Sequence, residues 1–395
     1  MKRLAALIAV LAVWAAPAAA AQTAQPPPLE LRGPRLVATG VDFAVRGAGA
    51  AAGERLRIEV RLGRRWRRVA GAVAAGDGMF ARRIRPPGRR SRHVLRAVGA
   101  DGRSSAPVVV RARHVTLAAV GDINLGDGPL LVMRQRGYRF PWTGVARPLR
   151  AADIAFGNLE CAVSTRGSPV PKQFNFRGPP AALRLVARYA GFDVLNLANN
   201  HAGDFGRVAL LDTVRNVRRF GMLAVGAGGS LASASRPRVI ERLGLRVAFV
   251  GFSNILPVSF FAGPGRAGTQ AATFQAIRRG VRRARRRADV VIATFHWGIE
   301  RAQREDARQR AFASAALGAG ATAVIGAHPH VLHPIRRIGR RLVAYSLGNF
   351  VFAAASPATT STGILRIKLS ARGVEGSRLA RAVIEGTRPR LLSLR

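Results

Sequence analysis

Hydrophobic and polar positions alternate one by one in the first part of this chain and gather into apolar runs in the rest. Between residues 31 and 112, short segments such as "RLRIEVRL" (55–62), "FARRIRP" (80–86), "HVLRAVGA" (93–100) and "APVVVRARH" (106–114) show the two-residue period of half-buried strands, separated by Gly, Asp and Pro turns. From His114 the texture changes. Nearly all-apolar runs, "VTLAAVGD", "ADIAFGNLE", "FDVLNLANNH", "RVAFVGF", "DVVIATFHWG", "ATAVIGAHPH" and "RLVAYSLGNF", now alternate with amphipathic stretches such as "RVALLDTVRNVRRFG" and "REDARQRAFASAALGAG". Apolar strands alternating with helices predict an α/β domain whose sheet is covered on both faces.

The 31–112 stretch predicts a small all-β sandwich, immunoglobulin-like in shape, with no cluster of titratable groups. Ahead of it, Lys2 and Arg3 precede the apolar "LAALIAVLAVWAA" and the small-residue "APAAAA", the pattern of a secretory signal peptide over residues 1–21. An uncleaved anchor is the alternative, though the run is short for a membrane span. Residues 22–30 read as a Pro-rich linker, 113–370 as the α/β domain and 371–395 as a basic tail in which "LARAVIEG" suits a closing strand. The expected location is therefore extracytoplasmic, secreted or in the cell envelope. One cysteine, Cys161, excludes an intrachain disulfide.

The net charge of +44 comes almost wholly from arginine, since Lys2, Lys172 and Lys368 are the only lysines. With the Ala and Gly richness this matches a high-GC coding bias, yet such a surface still attracts polyanions. "RRGVRRARRRAD" (278–289) fits a helix with an arginine-rich solvent face; without a recognition motif or aromatic platform it does not predict specific nucleic-acid binding.

Six apolar runs end in polar residues of related kinds: Asp122 and Asn124; Asn158 and Glu160; Asn199, Asn200, His201 and Asp204; His296 and Glu300; His328 and His330; Ser346 and Asn349. Sites in open α/β sheets form at the carboxyl ends of strands, so these groups can meet in one cleft. Carboxylates with neutral imidazoles suit Mn, Zn or Fe. His328 and His330, two apart around a stiff Pro329, would point to one side of an extended stretch. Singly, each group also fits a turn, and Asn-Asn-His fits a helix cap.

The motifs "GDINLGDG", "GNLE", "LANNHAGDFG", "FHWGIE", "GAHPHVLHPI" and "YSLGNFVF" stand in the order and spacing of the CapA capsule-synthesis family, which the chain resembles over about residues 115–353. That family is linked to poly-γ-glutamate biosynthesis and is related to calcineurin-like metallophosphoesterases. The resemblance implies a four-layer α/β/β/α sandwich with one or two divalent ions at one edge. It implies Asp122 as a ligand, Glu160 as a bridging carboxylate, Asn200, His296 and His328 at one metal position and His330 at the other. His201 would be a general acid or phosphoryl-oxygen ligand, oriented by Asp204. Two departures stand out: Asn124 where a metal-binding histidine is usual, and Glu160 in place of aspartate. They weaken the second metal position. Asn158, Asn199, Glu300, Ser346 and Asn349 would support the ligands or touch substrate, with a solvated helix position the alternative for Glu300. Apart from the resemblance, Lys172 and Arg177 suit either the carboxylates of an anionic polymer or the role of ordinary exposed cations.

Three functions follow. The first is a capsule protein handling an anionic polymer such as poly-γ-glutamate, with a membrane capsule-synthesis complex as a candidate partner. The second is a metallophosphoesterase acting on an envelope phosphoester, and the third a non-catalytic polymer-binding module. A Ser-His-Asp hydrolase is disfavoured, because no Gly-x-Ser-x-Gly occurs.

Overall fold

A computed structural model describes residues 27–88 and 90–392; the expected signal peptide and residues 22–26 of the expected linker lie outside these. The first eight strands form two sheets. One contains Glu30–Arg32, Phe43–Ala48 and Phe80–Ile84; the other runs in the order Leu36–Ala38, Val108–Arg113, Arg92–Val98, Arg55–Leu62, Arg65–Val73. Period-two patterning turns one face of each strand inward: Leu56, Ile58 and Val60 are buried while Arg55, Arg57 and Arg61 face water. Those side chains share a core with Phe43, Val45, Leu95 and Val110.

The remaining chain builds two larger sheets. In the eight-stranded sheet the order is Leu223–Val225, Val194–Asn196, Ile154–Leu159, Val115–Ile123, Ser361–Ser370, Gly373–Glu385, Arg388–Leu391, with Asn349–Val351 beside the carboxyl end of Val115–Ile123. In the six-stranded sheet it is Arg238–Arg242, Leu245–Ser253, Val290–His296, Ala323–Ala327, Arg341–Ala344, Ile335–Ile338. The central strands of both are parallel, joined by crossovers that include the helices Gly206–Arg219, Phe274–Arg285 and Ala307–Gly318.

Strands buried on both faces feed different cores with alternate residues. Leu117 and Ala119 join Phe156, Phe249, Ile292 and Ile325 in a core contributed by both sheets, where the Phe156 and Phe249 rings stack 5.6 Å apart. Ala118 and Val120 instead meet Leu210, Val214 and Val217 of the Gly206–Arg219 helix. On the six-stranded sheet, Val291, Ala293 and Phe295 pack on Ile277, Val281 and Phe312 of the other two helices. The helix Phe274–Arg285 begins where the Thr273 hydroxyl accepts the Ala276 N–H at 3.1 Å, and it buries Ile277, Gly280, Val281 and Ala284, leaving most of its arginines outside.

Residues 371–392 correct the expectation of a basic tail. Gly373–Glu385 pairs along the length of Ser361–Ser370, and Arg388–Leu391 adds a further strand. The closing strand read in "LARAVIEG" is present as the second half of Gly373–Glu385, a strand in which Val374, Ala382 and Ile384 are buried. Truncation after Arg372 should strip one of the two partners from Ser361–Ser370, leaving Val115–Ile123 on its other side, and expose the edge of the central core. The expected outcome is insoluble protein, or loss of the cooperative thermal transition followed by circular dichroism.

Candidate metal centre

Parallel strands bring their carboxyl ends to one edge, and there the polar groups converge. Asp122, Glu160 and Asp204 are fully buried, as is His296; Asn158, Asn199, Asn200, His201, His328 and Asn349 are nearly so. Ligand atoms of Asp122, Glu160 and His296 lie within 4.8 Å of one another, and so do those of Glu160, His328 and His330. Glu160 belongs to both groups. The structure thus sets His328 with His330, whereas the resemblance pairs His328 with His296; the His296 and His328 rings are nonetheless only 4.7 Å apart.

The donor set fits a divalent cation on its own chemistry. Neither carboxylate oxygen of Glu160 has a hydrogen-bond partner, and Nδ1 of His328 has none either. Nε2 of His296 comes within 3.2 Å of Glu160 Oε1 without hydrogen-bonding geometry; its nearer neighbour is Asn200 Oδ1 at 2.7 Å. Burial, and next the Asp122 carboxylate, hold the Glu160 carboxyl well above its ordinary range. Burial likewise pushes the imidazoles of His296 and His328 well below theirs, so both are neutral, the form that binds metal. For His330, burial is outweighed by the hydrogen bond and charge of Asp122, and the pKa rises.

A web of amides holds this set in place. Asn158 Nδ2 donates to Asp122 Oδ1 at 2.8 Å and lies 3.2 Å from His296 Nδ1, while Asn158 Oδ1 accepts from Asn196 Nδ2 at 2.8 Å. Asn349 Nδ2 donates to the Thr359 carbonyl, which turns its Oδ1 toward His330 Nδ1 at 2.9 Å and leaves His330 Nε2 as the accepting nitrogen. Asn199 bridges the Leu159 carbonyl and the His201 N–H.

His201 sits beside the cluster in a separate arrangement. Its Nδ1 donates to Asp204 Oδ2 at 2.7 Å, and Phe176 stacks on its ring with centroids 4.1 Å apart. Lys172 Nζ donates to Asp204 Oδ1 and the Asn200 carbonyl, both at 2.6 Å; its 3.2 Å approach to His201 Nδ1 is proximity, since that nitrogen carries the proton shared with Asp204. Burial, partly opposed by Asp204, lowers the His201 pKa.

Several candidates fall elsewhere. Asn124 Oδ1 accepts the Gly126 N–H at 2.8 Å and so closes the loop that follows its strand. Ser346 Oγ accepts from the Gly348 N–H. Arg177 lies over the Phe205 ring at 4.2 Å and donates to the Gly167 carbonyl; Glu300 is exposed in a turn at the edge of the site, near enough for its charge to raise the Glu160 and His330 pKa values. The segment 328–330 is not extended as expected: His328 and His330 have φ of 100° and 60°. The strand stops at Ala327, and the curl lets the His328 N–H reach Asp122 Oδ2 at 3.2 Å and the Pro329 carbonyl accept from the Arg301 N–H. Strained backbone of this kind persists where the surroundings over-determine it. Asn196 and Phe176 went unrecognised from sequence. Asn196 precedes the recognised cluster by three residues, a signal that was present; Phe176 carries none.

Residues 116–354 match the model of the bacterial capsule synthesis protein family PGA_cap. The chain is 31% identical over 283 residues to the PGA biosynthesis protein CapA of Bacillus subtilis (strain 168), covering 69% of this chain and 73% of that protein. It is 29% identical over 277 residues to the capsule biosynthesis protein CapA of Bacillus anthracis, covering 68% and 67%. Among solved structures, the NAD nucleotidase of Haemophilus influenzae superposes with a TM-score of 0.39 at 11% identity, over 71% of this chain and 54% of that one. By the match over 116–354 and the identity to both CapA proteins, the chain belongs to the bacterial capsule synthesis protein family.

Proposed function

We propose that this family member acts outside the cytoplasm on an anionic envelope polymer such as poly-γ-glutamate, as a metal-dependent hydrolase or transferase. The observation that carries the reading is Glu160, a fully buried carboxylate with no hydrogen bond to either oxygen. Asp122, Glu160, His296, His328 and His330, with Asn200 Oδ1, would hold the ion, of which Mn, Zn and Fe suit the ligands. A divalent metal there would supply Lewis acidity to the bond being broken. Asp204 fixes the His201 proton at Nδ1, so Nε2 is the atom that takes a proton and returns it to the leaving group. Lys172 neutralises Asp204 and keeps that carboxylate from the metal ligands.

The finer architecture belongs to the same proposal. Three apolar cores around two sheets support a four-layer α/β/β/α sandwich over 113–370, and the two amino-terminal sheets support an immunoglobulin-like spacer over 31–112. Export through residues 1–21 and a membrane synthesis complex as partner complete it.

Asn124 gives a second reading its footing. Its oxygen is already held by Gly126, so it does not replace the missing imidazole, and this favours a single ion or a polymer-binding module without turnover. A metallophosphoesterase reading shares the metal and differs only in substrate.

Two experiments separate these. Because the folded Glu160 carboxyl has a raised pKa, the metal-free fold loses stability as pH rises from the ordinary carboxyl value through the folded one. Glu160→Gln should therefore stabilise the metal-free protein at pH 7 by about 1–3 kcal/mol and abolish the rise in Tm on adding Mn or Zn. A wild-type Tm indifferent to metal, with no metal found by elemental analysis, would remove the catalytic readings. His201→Ala should keep its metal and lose about a hundredfold or more in cleavage rate, assayed on poly-γ-glutamate and on a phosphodiester panel. Undiminished polymer binding with no turnover by either protein would establish the binding module.

A further inference from the structure

The polar centre is ringed by loops whose tips are apolar and face water. Leu256 is 64% exposed, Ile299 62%, Val258 61% and Phe174 56%, among the most exposed large hydrophobic side chains of the described residues. Their loops converge on the site. The loop after Leu245–Ser253 begins with the Asn254 N–H donating to the His296 carbonyl, and carries Leu256 and Val258. Phe260, at its far side, lies against Gly203 of the Asn-Asn-His loop, so close that a Cβ on Gly203 would fall 2.7 Å from the ring. Lys172, two residues before Phe174, sits 5.6 Å from the same ring. Ile299 stands between His296 and Arg301, whose N–H donates to the Pro329 carbonyl inside His-Pro-His.

Cations accompany the tips. Arg266 on the first loop, and Arg301 and Arg304 on the loop of Ile299, are exposed and form no ion pair among the described residues; Glu300, exposed between Ile299 and Arg301, is the acidic group of that tip. Aliphatic and aromatic tips interspersed with unpaired arginines, on a chain of net charge +44, match the interfacial region of an anionic bilayer, where the apolar groups enter the acyl boundary and the guanidinium groups meet phosphates. A protein partner would favour a contiguous apolar patch with few charges at its centre, whereas these tips stand on separate loops, two of which also carry exposed arginine.

From this we infer that the rim of the metal centre docks on an anionic membrane surface, holding the cleft open toward that surface. The inference concerns the rim and is independent of whether the centre turns over a substrate.

Cys161 is buried and its thiol is pushed up to about 12, so it stays unreactive and an introduced cysteine can be labelled alone. Full-length Phe174→Cys, Leu256→Cys, Ile299→Cys and, in the amino-terminal sheet, Val73→Cys would each carry an environment-sensitive fluorophore. On vesicles of phosphatidylglycerol and phosphatidylcholine, the three rim labels should shift to the blue and be quenched by bromine on the lipid chains, and the Val73 label should do neither. Reading each label locally keeps the result independent of any anchoring by the amino terminus. Salt and Arg301→Glu/Arg304→Glu should reduce the rim shifts, and pure phosphatidylcholine should give none. Rim labels that stay in water on anionic vesicles would overturn the inference. So would a blue shift without vesicles that grows with protein concentration, which would make the rim a contact between copies of the chain.

Discussion

A carboxylate removed from water without a hydrogen bond to either oxygen is among the least favourable groups a fold can contain, and this fold is arranged around one. Glu160 follows directly on the strand Ile154–Leu159, whose neighbours on both sides are parallel, and is itself fully buried. Such a group either keeps its proton or meets a cation. The first is what the raised pKa describes; the second is what the nearby imidazoles and Asp122 are placed to share. The same desolvation that raises the carboxyl lowers His296 and His328. One physical cause therefore prepares acid and base in the same cleft for a metal, and the cost of that preparation falls on the metal-free state.

Position is maintained by amides rather than by charge. Asn196, Asn158 and Asp122 form a buried relay across three adjacent strands, with His296 of the other sheet against its middle member, Asn158. Asparagine can donate and accept at once without adding charge, which suits a site where another ion would compete with the metal. Close packing of backbone reinforces it. A Cβ on Gly121 would fall 1.8 Å from the Gly348 carbonyl oxygen, so Asp122 and Asn349 are held together by a contact only glycine permits. His201 is kept apart from this relay, with its own aspartate and lysine, and its proton is set by Asp204 rather than by the ligands.

Strand ends were the legible part of the site because an apolar run that stops in Asn, His or Asp marks both the strand and what it delivers. Asp122, Glu160, Asn200, His201, His296, His328 and His330 could be named that way, and the structure brings them together. Local pattern failed where the determining neighbour is remote. Asn124 looks like its ligand-bearing neighbours, yet its oxygen is occupied two residues on by Gly126. His-Pro-His reads as extended until Asp122, some two hundred positions earlier, draws the His328 N–H into a curl. Arg177 carries a charge suited to substrate but lies on Phe205. Of the strand Gly373–Glu385 only the carboxyl half, "LARAVIEG", was legible as a closing strand; the first half, with Gly376, Ser377 and Arg378 and a half-exposed burial pattern, carries no clear period of two.

That excess of arginine also sharpens the case for the centre. Acidic groups in this chain readily find a guanidinium: Asp153 pairs with Arg113, Asp193 with Arg242, Asp212 with Arg166, Asp289 with Arg246 and Glu305 with Arg336. Asp204, fully buried, has Lys172. Asp122 and Glu160 are equally buried and have neither arginine nor lysine among the described residues. In a chain with 64 basic residues and 20 acidic ones, a cation partner is the ordinary fate of a carboxylate. Burying two side by side while excluding every guanidinium leaves Asp122 with only the His330 imidazole, 3.4 Å away, as a cationic partner, and Glu160 with a retained proton or an added cation; the imidazoles around them suit a small ion that accepts nitrogen as well as oxygen.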